Sequence, residues 1–264
     1  MKTVIDKKQF GPWALVTGAS SGLGKEFARQ LAADGLNLVL VARRQNLLEE
    51  ISIQLEREYK IECRTIVADL SEPNAIDKIV AATDDIEIGL LISNAGTGNV
   101  GKFFSFEEPH HKYILQLNAI SHLSLTYHFG KLMAKRKRGG VLLTGAMGAT
   151  DGVPYMANEA GTKGYIQSLG KSLHTEFKEF GLHVTVLVTT PTETPVFYKL
   201  GFTMKNTPVK PISAKQCVSE ALIALKKNKV TVLPGFKFRV MNALTPASVS
   251  REMTGKIMRK NNNL

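Results

Sequence analysis

A short apolar run at residues 13–17 leads into Thr17-Gly18-Ala19-Ser20-Ser21-Gly22-Leu23-Gly24. A stretch with Phe27, Ala28 and Leu31 on one helical face follows at once. No other feature constrains the fold so tightly. A buried strand must turn directly into a helix, and glycines at 18, 22 and 24 let the backbone turn sharply and approach a bulky anion. The first amides of such a helix lack partners in the chain and carry partial positive charge, so a pyrophosphate suits that corner. A lone glycine pattern carries little weight. This one has a strand before it and a helix after it, as a dinucleotide site requires.

The rest of the chain repeats the alternation. Strands are expected over 13–17, 36–41, 61–68, 88–93, 140–145, 182–188 and 230–233. Helices are expected over 24–33, 45–59, 72–82, 106–115, 116–137, 159–180 and 213–227. Leu36-Asn37-Leu38-Val39-Leu40-Val41 and Val184-Thr185-Val186-Leu187-Val188 suit strands covered on both faces. The pattern implies an α/β fold: one doubly wound parallel sheet of Rossmann type, with right-handed crossovers and helices on both sides. A length of 264 residues suits a single domain over 1–264.

Two segments depart from the alternation. Residues 192–212 show no periodicity and are expected to form an irregular, lid-like loop near the substrate. There Phe197, Tyr198, Phe202 and Met204 either cover a substrate or anchor the loop. Residues 236–264 form an amphipathic extension mixing Phe238, Val240, Met241, Leu244, Val249, Met253, Ile257 and Met258 with Lys237, Arg239, Arg251, Lys256 and Arg259. It could lie on a lipid surface. Packing against the pocket or a second subunit is the expected fate, with 261–264 frayed.

A net charge of +11 and a pI near 9.6 raise the question of nucleic acid. The charges spread along helical faces, with clusters only at 131–138 and 256–260, so solvated surface and attraction for an anionic cofactor are expected instead. No run of eighteen apolar residues suggests a membrane span, and the first nine residues do not read as a signal peptide. Cys63 and Cys217 fall in different elements, which argues against a disulfide framework or zinc site and for a reduced, cytoplasmic protein. No His/Cys/Asp spacing points to a metal. His110 and His111 diverge by about 100° on a helix and are read as rim residues.

The second strand ends in Ala42-Arg43-Arg44. A site selecting NAD places an acid there for the ribose hydroxyls. Here the acid is absent and two guanidinium groups follow, which suits a 2′-phosphate and hence NADP(H).

These residues resemble the short-chain dehydrogenase/reductase family. Residues 17–24 match its TGxxxGxG loop, so Gly18, Ser20, Ser21, Gly22, Leu23 and Gly24 are implied cofactor contacts. Asp69-Leu70 resembles the family's adenine-contacting pair, and Asn94-Ala95-Gly96 its NAG motif. Asn118 falls at its catalytic asparagine, and 230–259 resembles a C-terminal extension of its ketoreductase-like branch. The resemblance covers nearly the whole chain. It implies a homodimer or homotetramer formed through helices 116–137 and 159–180, a small apolar carbonyl or alcohol as substrate, and contacts from Lys163, Thr192 and Thr194 to the cofactor.

The resemblance breaks where proton transfer belongs. The family uses a tyrosine as proton donor, a lysine four residues later, a serine that steadies the carbonyl oxygen, and the asparagine. Here the lysine is Lys163, but Glu159 stands in place of the tyrosine and Ala146 in place of the serine. After the sixth strand, Thr189-Thr190 replaces the family's Pro-Gly. A carboxylate four residues before a lysine can form an exposed helix-face ion pair worth about 0.3 to 0.5 kcal/mol, with no proton to give. That pairing is the expected state of Glu159. The alternative is a buried carboxyl that titrates near neutrality and acts as an acid or base. Tyr155 is expected to be a pocket-wall or surface aromatic. Thr144, two residues back in the strand, is expected to point away from the site. Three functions stay open: an NADP(H)-dependent oxidoreductase with altered acid–base groups, a non-catalytic NADP(H)-binding sensor or scaffold, and a non-redox enzyme using Glu159.

Overall fold

Among the described residues, seven parallel strands form the middle layer and two more pair apart from it. In the computed structural model, which describes residues 4–207 and 209–264, they run as β1 (Trp13–Thr17), β2 (Asn37–Ala42), β3 (Cys63–Val67), β4 (Ile88–Ser93), β5 (Gly139–Ala146), β6 (Leu182–Thr189), β7 (Thr192–Glu193), β8 (Ile212–Ser213) and β9 (Thr231–Val232). The main sheet has seven strands in the order β3-β2-β1-β4-β5-β6-β9, all pairings parallel. The chain leaves β1 toward one edge through β2 and β3, then returns beside β1 and builds outward through β4, β5 and β6. The crevice where the direction reverses lies at the carboxyl ends of β1 and β4, where open α/β sheets bind ligands. Met1 to Thr3, within the segment read above for a signal peptide, and Pro208, within the lid-like segment, lie outside the described residues.

The helices are α1 (Lys7–Phe10), α2 (Gly22–Ala33), α3 (Gln45–Tyr59), α4 (Ala75–Ala81), α5 (Glu108–Leu115), α6 (Ser121–Arg136), α7 (Ala157–Glu176), α8 (Pro195–Lys199), α9 (Ala214–Lys226), α10 (Phe236–Leu244) and α11 (Ala247–Asn261). Strand side chains alternate faces, so each strand feeds two cores. Leu15, Val39, Leu91, Val141 and Val184 form one row across the sheet. They pack with Ile79 of α4, Phe129 and Met133 of α6, and Ile166 of α7. The neighbouring row of Val16, Leu40, Ile92 and Leu142 packs with Phe27 and Leu31 of α2, Leu48 and Ile51 of α3, and Val218 and Leu222 of α9. Burying such side chains contributes roughly 1.5 to 3 kcal/mol each, which fixes the register of every strand.

Several boundaries differ from the sequence reading. The glycine corner is itself helical, so α2 starts at Gly22 rather than Gly24. Residues 72–74 form a turn around Pro73, closed by Ala75 N–H donating to Glu72 O at 3.2 Å, and α4 begins only afterwards. The two helices expected over 106–137 are joined by a π-turn, Gln116–Ile120, centred on Asn118.

Residues 192–212 are not irregular throughout. β7 pairs with β8 in parallel, and between them Thr194 caps α8, with Pro195 opening the helix. A threonine cap followed by proline at the first helical position is a local start signal that outweighs the missing periodicity. The carboxyl end does not fray as expected. Asn262 donates to Leu200 O at 3.3 Å and to Met258 O at 3.0 Å, tying the end of α11 to the lid. Arg251 donates to Asp151 O at 3.3 Å, tying the same helix to the β5–α7 loop. The extension packs over the pocket, one of its expected fates.

Candidate active site

One elongated cleft of about 860 Å³ runs from the glycine corner to α10 and α11. Every residue singled out from sequence for binding or catalysis lines it, except Gly24 and Asn118. Gly24 lies beneath the corner. A Cβ there would sit 2.1 Å from the Gly18 carbonyl oxygen, so only glycine permits this turn. Ser21 caps α2 without using its side chain, which leaves the first-turn amides free to meet an anion. Both observations fit a dinucleotide phosphate at this place.

At the end of β2, Arg44 Nη2 donates to Ser20 Oγ at 2.9 Å, so a guanidinium and a hydroxyl from different loops converge at the rim. Arg43 turns aside to Asp69 Oδ2 at 3.3 Å and to Tyr113 Oη at 3.0 Å. Partial burial works against the Asp69 charge, but hydrogen bonds from Ser71 and the Arg43 guanidinium hold its carboxyl below the usual range. It is therefore an anion that can only accept hydrogen bonds.

The loop after β4 is held from three sides. Thr17 Oγ1 accepts from Asn94 N–H and Ala95 N–H, each at 2.9 Å. His122, wholly enclosed, donates from Nε2 to Ala95 O at 2.7 Å, so its Nδ1 accepts the Ser93 hydroxyl at 2.9 Å. Burial, with the Lys163 charge nearby, pushes this imidazole down to about 3 and keeps it neutral. Asn118 accepts from Thr97 N–H at 3.0 Å and donates to Thr97 O at 2.8 Å. Its side-chain amide is thus engaged by the backbone. His122 went unnoticed in the sequence, although it lies one helical turn after Asn118.

Glu159 does not form the expected ion pair. Among the described residues no salt bridge within 4.0 Å involves it, and Lys163 Nζ instead donates to Thr144 O at 2.9 Å. Both groups lie at the base of the cleft. Glu159 as a whole keeps some exposure, but its Oε2 is buried without a partner. It lies against Gly98, where a Cβ would be only 1.6 Å from it. Burial raises this carboxyl to about 7, against the opposing charges of Lys163 and Lys199. Burial likewise pushes Lys163 down, opposed by Glu159. A surface pair would have had solvent to stabilise it. Here the protein has removed the solvent without supplying a contact, so the neutral acid is favoured.

Lys199, which nothing in the sequence singled out, reaches from α8 to donate to Thr97 Oγ1 at 2.9 Å. Thr144 corrects another expectation. Residues two apart on a strand share a face, so it accompanies Ala146. It lines the cleft, and its Oγ1 is buried and unpartnered. Ala146 contributes its carbonyl, which accepts from Gln167 Nε2 at 2.7 Å. Thr189 and Thr190 donate to Gly145 O at 2.9 Å and Pro234 O at 3.2 Å, so they brace the cleft wall. Tyr155 lies outside the main cleft. With φ at +66° it borders a side chamber of about 250 Å³ that also meets His110, His111 and Glu159. Glu159 therefore stands between the two cavities.

The profile of the family described as short chain dehydrogenase matches residues 12–204. The 7beta-hydroxysteroid dehydrogenase of Mediterraneibacter gnavus is 29% identical over 189 residues, covering 72% of this chain and 72% of that protein. The very-long-chain 3-oxoacyl-CoA reductase of Podospora anserina is 35% identical over 186 residues, which is 67% of this chain and 54% of that protein, so the chain spans about half of its length. A solved 7beta-hydroxysteroid dehydrogenase superposes with a TM-score of 0.85 at 24% identity, covering 96% of this chain and 98% of the other. A short-chain dehydrogenase from Sphingobium yanoikuyae in complex with NADPH superposes at 0.80 and 24% identity, covering 88% and 93%. These two likenesses establish the fold.

The contact between Gly98 and Glu159 has a measurable coupling. Gly98→Ala is expected to cost about 1 to 3 kcal/mol, because the added methyl displaces a buried carboxyl. The same change beside Glu159→Ala is expected to cost much less. Urea unfolding of wild type, both single variants and the double variant gives the coupling. Equal costs in both backgrounds would mean that the carboxyl does not occupy that space.

Proposed function

The chain belongs to the short-chain dehydrogenase family of NAD(P)H-dependent oxidoreductases, and on that premise we propose that it is an NADP(H)-dependent oxidoreductase for an apolar carbonyl or alcohol, in which Glu159 carries the proton. The observation that supports this reading is the Glu159 carboxyl itself. Largely buried in the cleft and raised to about 7, it is shared between its acid and carboxylate forms at neutral pH, whereas an ion-paired carboxylate would have lost its proton.

NADP(H), when bound, supplies or accepts the hydride. The chain's own residues do the rest. The glycine corner and the first amides of α2 receive the phosphates, and Arg44 with Ser20 receives the 2′-phosphate. The NADPH complex of the Sphingobium yanoikuyae relative supports the same choice of cofactor. Oε2 is enclosed against Gly98, so the proton passes from the other carboxyl oxygen, Oε1, to a carbonyl oxygen in the cleft that Glu159 lines. Lys163 and Lys199 then stabilise the carboxylate left behind. In the reverse direction the carboxylate accepts the proton. Met241 and Ile257 of the C-terminal helices and Val153 and Phe202 line the substrate end, which suits an apolar compound.

A second reading, cofactor binding without turnover, draws on Ala146. It offers no hydroxyl to steady a carbonyl oxygen.

The cofactor reading predicts that Arg44→Ala weakens NADPH binding by about tenfold to a hundredfold and leaves NADH nearly unchanged, as followed by nucleotide fluorescence. Equal losses for both nucleotides would remove the 2′-phosphate site.

The proton reading has a sign. Reduction needs the protonated carboxyl, so ketone reduction is expected to fall as pH rises through about 7 and alcohol oxidation to rise over the same interval. Glu159→Gln should lower kcat by about 10² to 10⁴ and retain NADPH binding. Tight NADPH binding with no oxidation across a panel of ketones would leave only the second reading.

We further propose a homodimer or homotetramer built on α6 and α7. Tyr127, 69% exposed, stands one turn after the exposed Leu123 on α6, and Tyr165 is exposed on α7. Tyr127→Glu is expected to lower the mass measured by light scattering to that of a smaller species. An unchanged mass would place the interface elsewhere.

A further inference from the structure

The C-terminal helix pair exposes apolar side chains, most of which the cleft does not use. On α10, Phe238 is buried and Met241 lines the cleft. Phe236, Val240 and Leu244 follow one another at four-residue spacing and are exposed, Phe236 at 70% and Leu244 at 76%. That spacing sets them on one stripe of the helix. On α11, Met258 is buried, whereas Val249 and Met253 are exposed. Lys256 and Lys260 continue the Val249–Met253 row at helical spacing, and Lys237 borders the stripe on α10.

The charge balance of this segment is lopsided. Residues 236–264 hold six Lys and Arg against one acid, Glu252. Glu252 meets Lys256 at 2.7 Å, and Arg239 meets Glu220 at 2.7 Å. The outward face thus joins an apolar stripe to an excess of positive charge. A second copy of this chain is a poor complement, because a two-fold contact would bring together two segments with the same excess of positive charge. An anionic lipid surface complements both features: acyl chains accept the apolar stripe and headgroups the ammonium groups. Among the described residues no helix is long and apolar enough to cross a membrane, so the contact would lie in the surface plane. Met253 is both exposed and part of the cleft lining, which makes the stripe continuous with the mouth of the cavity.

We propose that the outward face of α10 and α11 docks on an anionic lipid surface, with Phe236, Val240, Leu244, Val249 and Met253 in the interface and Lys237, Lys256 and Lys260 at the headgroups. An apolar compound held in that lipid then meets the cleft at its mouth. The docking does not depend on turnover or on which cofactor binds.

The test is sedimentation of the full chain with vesicles of phosphatidylcholine alone or mixed with phosphatidylserine. Binding is expected to the mixed vesicles only, and to weaken with salt. Phe236→Ser with Leu244→Ser, and separately Lys237→Glu with Lys260→Glu, should each lower the partition coefficient by roughly tenfold or more. These side chains are exposed, so melting temperature and NADPH affinity should stay near wild type and report an intact fold. Protein that stays in the supernatant with both vesicle types overturns the proposal. So does binding indifferent to both double variants. A smaller oligomer in the Phe236/Leu244 variant, with vesicle binding unchanged, would assign the face to a second copy.

Discussion

Thr17 is the knot on which the site depends. It is wholly buried at the end of the central strand, where the sheet changes direction. Its hydroxyl accepts two amides of the loop after β4, and its carbonyl accepts Asn94 Nδ2 at 3.1 Å. One side chain thereby locks the glycine corner to the neighbouring strand's exit. His122 and Asn118 secure the same loop farther along. The loop so fixed presents Gly96 and Gly98, which leave room for Lys163 Nζ and the Glu159 carboxyl. A chain of saturated backbone contacts therefore ends on the two groups whose protonation is free to change. Rigid surroundings matter here, because a carboxyl that could relax into water would regain its ordinary proton affinity.

The sheet, the glycine corner and the order of the elements were legible because each rests on a local rule. Glycines at 18, 22 and 24 sit between a strand and a helix, and runs such as Val184–Val188 suit strands buried on both faces. The lid's short helix was readable too, from Thr194-Pro195, but the absence of periodicity hid it. The state of Glu159 was not legible. Sequence spacing gives an acid and a base one turn apart, and on an exposed helix they would pair. What prevents it is tertiary: Lys163 is drawn to the Thr144 carbonyl, and Gly98, distant in sequence, opens the space that Glu159 fills. Thr144 was misread by a parity error, since a strand returns to the same face every second residue.

On the proposed reading, a carboxyl serves where the resemblance implies a phenol, and that changes what the lysine does. Beside a tyrosine, a cation lowers a high pKa toward neutrality. Beside a carboxyl, whose ordinary value is already low, the same cation pushes in the unwanted direction, and burial must supply the opposite shift. Both influences act on Glu159, and burial is the larger. The positive charges of Lys163 and Lys199 then keep that rise from going further. A deeper carboxyl with no cation would hold its proton too firmly to give it up at neutral pH, and a solvated one would hold none.

The far wall of the cleft follows a different logic from the glycine corner. The corner of β1 and α2 is shaped by backbone, with few choices of residue. The far wall is built late in the chain, from α8, α10 and α11, whose contacts are tethers such as Asn262 to the Leu200 carbonyl and Arg251 to the Asp151 carbonyl. Tethers to backbone carbonyls hold helices in place without dictating which side chains face the cleft or the exterior. Such a wall can change its lining, or its outer surface, while the sheet and the glycine corner stay as they are. An apolar lining and an apolar, cationic exterior on the same two helices are then compatible with an unaltered Rossmann core, because neither surface is needed to hold the other up.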